Sequence, residues 1–294
     1  MTDFVEIADR IWVARQEWFD LNITVIGGAR GLVVVDTHGS TTAAREVIDD
    51  IRGLGAGKVI AAINTHEHFD HTFGNDAFRH AYGPDLALHA HEVAAEATVA
   101  AGERIKARYA ADPDDPHAAE IAATRIVPAD RTFSSVRVLH IGERRVEMLH
   151  PGRGHTAGDL VVHVPDADVL LAGDLIEESG PPMYGLDSHP LDWPFTLDAI
   201  LGLCTPDTVV VPGHGARVGR DFVEEQRLDV GQVAQTIHDL VAQGVPEDQA
   251  LAAGEWPFPA AGLADAVRRG YAVLEPAPRH PGLGQPPFGQ LPLI

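Results

Sequence analysis

The sequence THEHFDH at positions 65–71 constrains the fold of this chain more than any other feature. The metal-binding candidates in it are His66, His68, Asp70 and His71. Histidine nitrogens and carboxylate oxygens are ligands that first-row divalent metals accept. The segment follows the apolar run 59–63, which has the length and composition of a buried strand. Sites collect in loops at strand ends, so the sequence predicts a metal site there.

One loop cannot complete such a site. In an extended loop alternate side chains share a face, so His66 and His68 can bind one ion while Asp70 and His71 turn towards a second. Tetrahedral zinc sites use three protein ligands plus water, so further ligands must come from elsewhere. Three more candidates follow apolar runs beside glycines: His155, Asp174 and His214. Each is weak evidence alone, and helix capping is an alternative role for Asp174.

Strand-like and helix-like segments come in two similar batches. The predicted strands are 11–14, 23–26, 32–36 and 59–63, then 136–140, 145–149, 160–164, 169–172 and 208–211. The predicted helices are 41–54, 75–82 and 91–110, then 195–204. Two strand-rich halves that each carry helices suit two sheets packed face to face with helices outside. We therefore predict an α+β fold, a four-layer αββα sandwich over residues 1–220.

The chain changes character after His214. An apolar stripe with helical spacing runs from Val230 to Val241, and two more helices are predicted after it. These segments form a predicted C-terminal helical extension over residues 221–275. Residues 276–294 are rich in proline and glycine, a composition that excludes regular helix or sheet. We expect this tail to lie along a partner subunit if the chain forms a homodimer.

Charge and composition narrow the classes of function. The chain has 22 Lys and Arg against 43 Asp and Glu, and its net charge of −21 repels phosphate backbones and anionic lipids. The single cysteine, Cys204, lies on the apolar face of a predicted helix, which is typical of a packed thiol. Neither a secretory leader nor an apolar run of about 20 residues is evident. We expect a cytoplasmic protein that acts on a small molecule, without nucleic-acid or membrane partners.

Taken in order, the motifs HEHFDH, GRGHTAGD, AGD and PGHG resemble the successive ligand motifs of the metallo-β-lactamase superfamily, over about residues 5–220. By this resemblance His66, His68 and His155 bind a first metal, Asp70, His71 and His214 bind a second, and Asp174 bridges both. The lactamases proper have cysteine or serine where this chain has Asp174, so the chain resembles the glyoxalase II and lactonase branch. It departs from glyoxalase II in lacking that family's substrate-binding Lys and Tyr pattern after His214.

The resemblance implies a hydrolase with two zinc ions, for which iron or manganese are alternative metals. Two ions about 3.5–4 Å apart share a hydroxide that attacks an electrophilic carbonyl. Asp70 would orient this hydroxide and carry its proton, so it is the predicted catalytic residue. The expected substrate is an ester, lactone, thioester or amide. Two alternatives stay open: an oxidoreductase with one iron, resembling the persulfide dioxygenases, and a β-lactamase.

Several side chains near the predicted site are candidates for contact with the substrate. The residues assigned to this role are Trp18, Tyr184 and His189, with Phe19 and Trp193 as further aromatic candidates. The alternative is that these residues only pack or lie on the surface. Asp36, His38 and Thr156 lie in loops from which they could hold metal ligands in position.

Overall fold

Residues 3–274 are described by a computed structural model, and within this range the chain forms twelve strands and nine α-helices. The first batch of strands is β1 (Val5–Ala8), β2 (Ile11–Gln16), β3 (Leu21–Gly28), β4 (Gly31–Val35), β5 (Val59–Ile63), β6 (Ala87–His91) and β7 (Arg131–Phe133). Its helices are α1 (Thr41–Gly53), α2 (Phe69–Thr72), α3 (Asn75–Tyr82), α4 (Glu92–Ala110) and α5 (Ala118–Ala123).

The second batch follows directly. Its strands are β8 (Val136–His140), β9 (Arg145–Leu149), β10 (Val161–Val164), β11 (Val169–Glu177) and β12 (Val209–His214). The remaining helices are α6 (Trp193–Leu201), α7 (Arg220–Ala242), α8 (Glu247–Ala253) and α9 (Ala264–Leu274).

The strands form one hydrogen-bonded path with two halves. Its order is β7-β6-β5-β4-β3-β12-β11-β10-β9-β8, with β2 also beside β3 and β1 beside β2. The halves join where His214 of β12 pairs with Leu21 of β3. On either side of this junction, β4 and β5 run parallel, as do β11 and β12, so the ends of neighbouring strands lie at the same edge.

Alternating side chains along the strands produce the layers of the fold. In β4, Val33 and Val35 face the core between the two halves, whereas Leu32 and Val34 face the outer core that contains α1. The outer face of the second half packs against α6, α7 and α9. The predicted αββα sandwich is therefore confirmed, with helices on both outer faces.

Helix α1 illustrates how the local sequence builds these layers. The hydroxyl of Ser40 accepts a hydrogen bond from the backbone N–H of Ala43 at 3.0 Å, which caps the helix. Its buried residues are Ala44, Val47, Ile48 and Ile51. Spacings of three and four residues place them on one face, so the sequence pattern alone predicted this helix.

The structure differs from the sequence prediction in the short and irregular elements. It adds α5, the short strands β1 and β7, the strand β6, and α2 inside the predicted polar loop. Elements of three to six residues carry too few side chains for a period to be recognised. Strand β11 runs to Glu177, whereas the sequence predicted its end at residue 172. The strand shifts register near Gly173, so the regular pattern on which the prediction depended breaks off there.

The predicted C-terminal extension shares a core with the sandwich. Ile237 of α7 and Tyr271 of α9 belong to the same apolar cluster as Leu170 of β11. The division into domains at residue 220 stays a prediction, and the tail at 276–294 lies outside the described residues. Within residues 3–274, no helix has the length and apolarity that crossing a membrane requires.

Candidate metal centre

The seven predicted ligands lie on elements that meet near the junction of the two sheet halves. His66 and His68 follow β5, Asp70 and His71 lie in α2, His155 lies between β9 and β10, Asp174 lies in β11 and His214 ends β12. The 65–71 segment is not extended throughout, because it becomes a helical turn at Phe69. This turn, rather than strand-like alternation, separates the last two candidates of the segment from the first two.

Three histidines form a first group. The metal-binding atoms of His66, His68 and His155 all lie within 4.8 Å of one another. Nδ1 of His68 is 2.9 Å from Nε2 of His155, and the ring of His66 is perpendicular to that of His155. Three imidazole nitrogens this close together have the composition that a first metal site would need.

A second group combines one carboxylate with two imidazoles. The corresponding atoms of Asp70, His71 and His214 also lie within 4.8 Å of one another. Oδ2 of Asp70 is 3.4 Å from Nε2 of His71 and 3.4 Å from Nε2 of His214. This group has the composition that the resemblance assigns to a second metal.

Asp174 lies between the two groups. Its Oδ2 is 3.7 Å from Nε2 of His66 and 3.4 Å from Nε2 of His155, in the first group. Towards the second group, Oδ1 is 3.2 Å from Nε2 of His71 and Oδ2 is 3.3 Å from Nε2 of His214. A carboxylate at these distances from both groups has the position that a bridging ligand needs.

Each imidazole uses its other ring nitrogen to contact the surrounding protein. Nδ1 of His71 donates to Oδ2 of Asp36 at 2.8 Å, and Nδ1 of His66 lies 3.1 Å from the hydroxyl of Thr65. Asp36 also accepts hydrogen bonds from the backbone N–H and the hydroxyl of Thr65. Asp36 has a φ of 62°, a left-handed conformation that costs energy and recurs at functional sites.

Three partners come from distant loops. Nδ1 of His155 donates to the carbonyl of Met183 at 3.0 Å, and Nδ1 of His214 donates to the carbonyl of Phe19 at 2.7 Å. The ring of His68 is oriented the other way, because its Nε2 rather than its Nδ1 contacts the protein, 3.3 Å from Oδ2 of Asp187. Such outer contacts hold the tautomer and ring orientation of a metal ligand. All five imidazoles therefore present their free nitrogen to the same centre.

The electrostatics of the second group favour bound positive charge. Burial lowers the pKa of His71 and His214, but the facing carboxylates outweigh it and raise the pKa of His214 to about 10 and that of His71 well above its ordinary value. Burial raises the pKa of Asp70, yet the charges of His71 and His214 lower it to about 2. The same imidazoles hold the pKa of Asp174 well below its ordinary value. Metal binding would displace the protons from these imidazoles.

Two members of the first group have the opposite character, whereas burial is outweighed at His68 by the carboxylate of Asp187, which raises the pKa of that imidazole. Burial holds the pKa of His66 well below its ordinary value and lowers that of His155 to about 4. Both imidazoles are therefore neutral at pH 7. Neutral imidazole is the form that coordinates a metal.

Unpartnered polar atoms test whether the site fits a metal. Nε2 of His66, Nε2 of His71 and Oδ1 of Asp174 are buried and make no well-aligned hydrogen bond, although the last two lie 3.2 Å apart. Buried polar atoms without partners are rare, and these three belong to one cluster of nitrogen and oxygen donors. Two triads with a shared carboxylate suit two zinc ions. The residues present therefore fit the metals that the resemblance implies, although their role as ligands stays a prediction.

A cavity of about 350 Å³ opens onto this centre. Its lining includes five of the seven candidates, His68, Asp70, His155, Asp174 and His214. The other lining residues are Phe19, Phe69, Ile105, Arg108, Tyr109, Glu177, Ser179 and Met183. A mostly apolar pocket with a few convergent polar groups is the usual form of a small-molecule site.

The three residues assigned to substrate contact do not line this cavity. Trp18 stacks on His117, with ring centroids 3.8 Å apart. Tyr184 is only 4% exposed and packs against Trp193 in the apolar core. The backbone of His189 is hydrogen-bonded in the loop before α6. Proximity in sequence to the ligands did not predict the cavity lining, although Phe19, from the same set of aromatic candidates, does line it.

Of the three residues expected from the sequence to hold metal ligands in position, one hydrogen-bonds to a candidate ligand. Asp36 holds His71 as described, whereas Thr156 hydrogen-bonds to Asp159 and Nδ1 of His38 accepts from the backbone of Gly39.

Sequence reasoning missed several residues of the cavity and its support. Glu177 lines the cavity and forms a further cluster with Asp174 and His214. Residues three apart on a regular strand face opposite sides, and the register shift between Gly173 and Glu177 brings the two acids to one side. Burial and the nearby Asp174 raise the pKa of Glu177 to about 7. Asp187, which contacts His68, is a single acid in a loop and gave no sequence signal.

The sequence of this chain is similar to those of known enzymes. A metallo-β-lactamase type 2 of Bacillus sp. (strain 170) is 26% identical over 211 residues, which cover 71% of this chain and 72% of that protein. A linear primary-alkylsulfatase of Pseudomonas sp. (strain ATCC 19151) is 25% identical over 285 residues, covering 85% of this chain but only 53% of the alkylsulfatase.

Solved structures support the fold. A metallo-β-lactamase of Pontibacter korlensis superposes with a TM-score of 0.61 at 20% identity, over 79% of this chain and 99% of that one. A metallo-β-lactamase of Pseudomonas aeruginosa in its mono-zinc form gives 0.62 at 19% identity, over 79% and 96%. The model of the metallo-β-lactamase superfamily matches residues 17–214, which include all seven candidate ligands. This match spans more than half of the sequence, and the chain therefore belongs to the metallo-β-lactamase superfamily.

Proposed function

We propose that this chain is a dinuclear zinc hydrolase that cleaves an ester, lactone, thioester or amide bond. The observation that carries the proposal is the arrangement of five imidazoles, each with one ring nitrogen bound to the surrounding protein and the other directed at a common centre. Asp174 lies within 3.7 Å of an imidazole in each triad. Two triads joined by a carboxylate suit two ions rather than one.

Bound zinc would supply a water of lowered pKa as nucleophile and would polarise the carbonyl of the substrate. The protein's own contribution begins with Asp70, which lines the cavity. In the metal-free chain the charges of His71 and His214 outweigh burial and lower its pKa to about 2, and bound zinc would replace those positive charges, so Asp70 stays a carboxylate. An ionised Asp70 can accept a hydrogen bond from the nucleophile and then carry the proton towards the leaving group.

The cavity lining supports a substrate with an apolar portion. Phe19, Phe69, Ile105 and Met183 surround the approach to the metal candidates. Arg108 is the one permanently charged cation among the described lining residues. We propose an ester-like substrate whose apolar group occupies this lining, in keeping with the glyoxalase II and lactonase branch that Asp174 suggests.

A β-lactamase is a second candidate, because a metallo-β-lactamase type 2 of Bacillus sp. (strain 170) is 26% identical to this chain. The presence of Asp174 rather than cysteine or serine argues against it. The alkylsulfatase relative adds sulfate esters to the substrates worth testing.

A zinc-loaded activity screen tests the proposal. Purified protein would be stripped of metal, reloaded with zinc, and assayed against lactones, thioesters, aryl esters, β-lactams and alkyl sulfates. We expect about two zinc ions per chain and hydrolysis of at least one carboxylic ester, lactone or thioester. One bound iron with thiol-dependent oxygen uptake would instead establish the oxidoreductase alternative and overturn the proposal.

The cytoplasmic location and the homodimer stay predictions. Cell fractionation and analytical ultracentrifugation of the full chain test them independently of activity.

A further inference from the structure

The loop between β11 and α6, residues 178–192, supports two of the predicted ligands of the first metal. The carbonyl of Met183 accepts a hydrogen bond from Nδ1 of His155, and Oδ2 of Asp187 lies 3.3 Å from Nε2 of His68. The metal-facing nitrogens of these two histidines are only 2.9 Å apart. A shift of this loop would therefore turn two of the three imidazoles of the first triad.

The part of the loop around Asp187 lacks apolar anchoring. Tyr184 and Pro190 are buried, but between them residues 185–189 bury no apolar side chain, and Leu186 is 59% exposed. Loops with few buried apolar contacts open at low free-energy cost unless polar contacts hold them. The position of Asp187 therefore depends on hydrogen bonds from neighbouring elements.

One of those hydrogen bonds comes from the last helix. Nε of Arg269, in α9, donates to the carbonyl of Ser188 at 2.8 Å. Ser188 is fully buried and directly follows Asp187, so this contact holds the backbone beside the carboxylate. On its other side, Arg104 of α4 lies 3.4 Å from Oδ2 of Asp187. The backbone N–H of His189 donates to the carbonyl of Gly154, next to His155.

Helix α9 is itself firmly placed. An added Cβ at Gly270 would lie 2.6 Å from Ile237 of α7 and 3.5 Å from Leu191 of the loop, so the helix approaches both closely. Tyr271, the next residue, is fully buried. Arg269 therefore projects from a closely packed helix, as a positioning group must.

From these contacts we infer that Arg269 is a positioning residue for the first metal site. It holds Ser188, and through it Asp187, so that His68 and His155 present their free nitrogens together. Helix α9 lies beyond residue 214, where the family match ends. The inference gives the C-terminal helices a role in metal binding, and it rests on the proposed metal ligands.

The test is zinc affinity measured on full-length Arg269→Gln by competition with a chromophoric chelator. Loss of an outer contact to a metal ligand weakens metal binding by 10- to 100-fold, and Arg269 acts one contact further out, so we expect about tenfold for one zinc equivalent. The second equivalent, assigned to Asp70, His71 and His214, should keep its affinity. Asp187→Asn should weaken the same equivalent more strongly.

Arg268→Gln is the matched control. Arg268 is the neighbouring arginine of α9, but it pairs with Asp265 on the same helix. Its loss should leave both zinc affinities unchanged. Arg269→Lys keeps a charged donor on a long side chain and should restore most of the first affinity. A general effect of losing the charge would instead weaken both zinc equivalents.

A metal-free readout guards against a folding defect. The ¹⁵N chemical shifts of the imidazoles report their tautomers, and in Arg269→Gln we expect changes at His68 and His155 but not at His71. Unchanged shifts, unchanged affinities, or equal weakening of both equivalents would overturn the inference. If the wild-type chain binds no zinc, the proposed function fails. If it binds two and Arg269→Gln does also with wild-type affinities, only this inference fails.

Discussion

Asp174 has contacts that no other candidate ligand combines. It is 9% exposed, and its two oxygens lie within 3.7 Å of imidazole nitrogens from both triads. A buried carboxylate is costly unless it is paired or bound to a cation. The charges of His214 and His71 make it ionised in the metal-free chain, and a pair of zinc ions would take over that role.

Replacing Asp174 should separate metal binding from folding. We expect Asp174→Ala to lose at least one of two zinc equivalents and nearly all turnover, because no other carboxylate within residues 3–274 lies as close to both triads. Metal analysis with circular dichroism would measure both effects. Asp174→Asn is the isosteric control and should fold equally well while binding less metal. A variant that keeps two zinc ions and activity would contradict the bridging role.

The charge of Arg108 leads to a second prediction about a single residue. It is exposed at the cavity, and an ion pair at such a site contributes up to about 1 kcal/mol, or roughly fivefold. The preference is the ratio of kcat/KM for an aryl ester that ends in a sulfonate to kcat/KM for the matched ester that ends in an alkyl group. Arg108→Glu should therefore lower this ratio by about fivefold or more.

Arg30→Glu is the matched charge reversal for that experiment. Arg30 follows β3 at the end opposite to Leu21, where β3 meets His214, so it lies far from the cavity. If both reversals change the preference equally, the effect is one of overall charge and the assignment of Arg108 is wrong.

Among individual residues, the sequence carried a stronger signal for the candidate ligands than for the residues that line the cavity. Four of them fall within positions 65–71, where their density is itself a chemical signal. A residue such as Tyr184 carries no comparable signal, because an aromatic side chain serves a core as well as a pocket. Its 4% exposure results from packing against Trp193, which lies nine residues further along the chain.

At the scale of elements, β11 and β12 place two candidate ligands side by side. They run parallel, and their ladder shifts register near Gly173, which has a φ of 53°. On the neighbouring strand, Gly213 lies so close to Asp174 that an added Cβ would overlap Oδ1. The glycine before His214 is therefore needed for the approach of the carboxylate to the imidazole.

Gly213→Ala tests this close packing. The added methyl group should displace the carboxylate of Asp174, and we expect weaker zinc binding with a loss of turnover comparable to that of Asp174→Ala. Gly53→Ala is the control, because an added Cβ there meets nothing within 4 Å. Zinc titration of both variants provides the measurement, and equal affinities would refute the role of Gly213.

The elements predicted from sequence were those with a sustained period or a continuous apolar run. Helix α1 was found almost to the residue because its buried side chains repeat at helical spacing, and β5 was found because its five residues are all apolar. The turn α2 was missed because four residues show no period, although it decides the direction of Asp70 and His71. Local pattern therefore predicted the framework, while the irregular segments that aim the side chains required the structure.

In the whole molecule, the metal candidates lie where the two sheet halves join. His214 pairs with Leu21 there, and the loop at 178–192 links the same region to α9. Groups that bind the folded chain but not the unfolded one raise stability by mass action, by about 2.7 kcal/mol at a ligand concentration 100 times the Kd. Zinc at this junction should therefore stabilise the entire fold.

Calorimetry can measure this coupling. We expect the Tm of the zinc-loaded chain to fall by several degrees when a chelator removes the metal, and to recover when zinc is added. Asp174→Ala is the control, since its Tm should depend less on zinc. A Tm that is independent of zinc in the wild-type chain would contradict metal binding at the junction.

The sequence by itself determined the αββα fold and the positions of the candidate ligands, because both depend on local patterns of apolar spacing and metal-binding side chains. Only the tertiary structure decided how those ligands are held and what lines the cavity. His214 is held by the carbonyl of Phe19, 195 positions away, and His68 by Asp187, 119 positions away. A backbone carbonyl or a single loop acid has no sequence signature, so these partners follow only from the packing of the two halves.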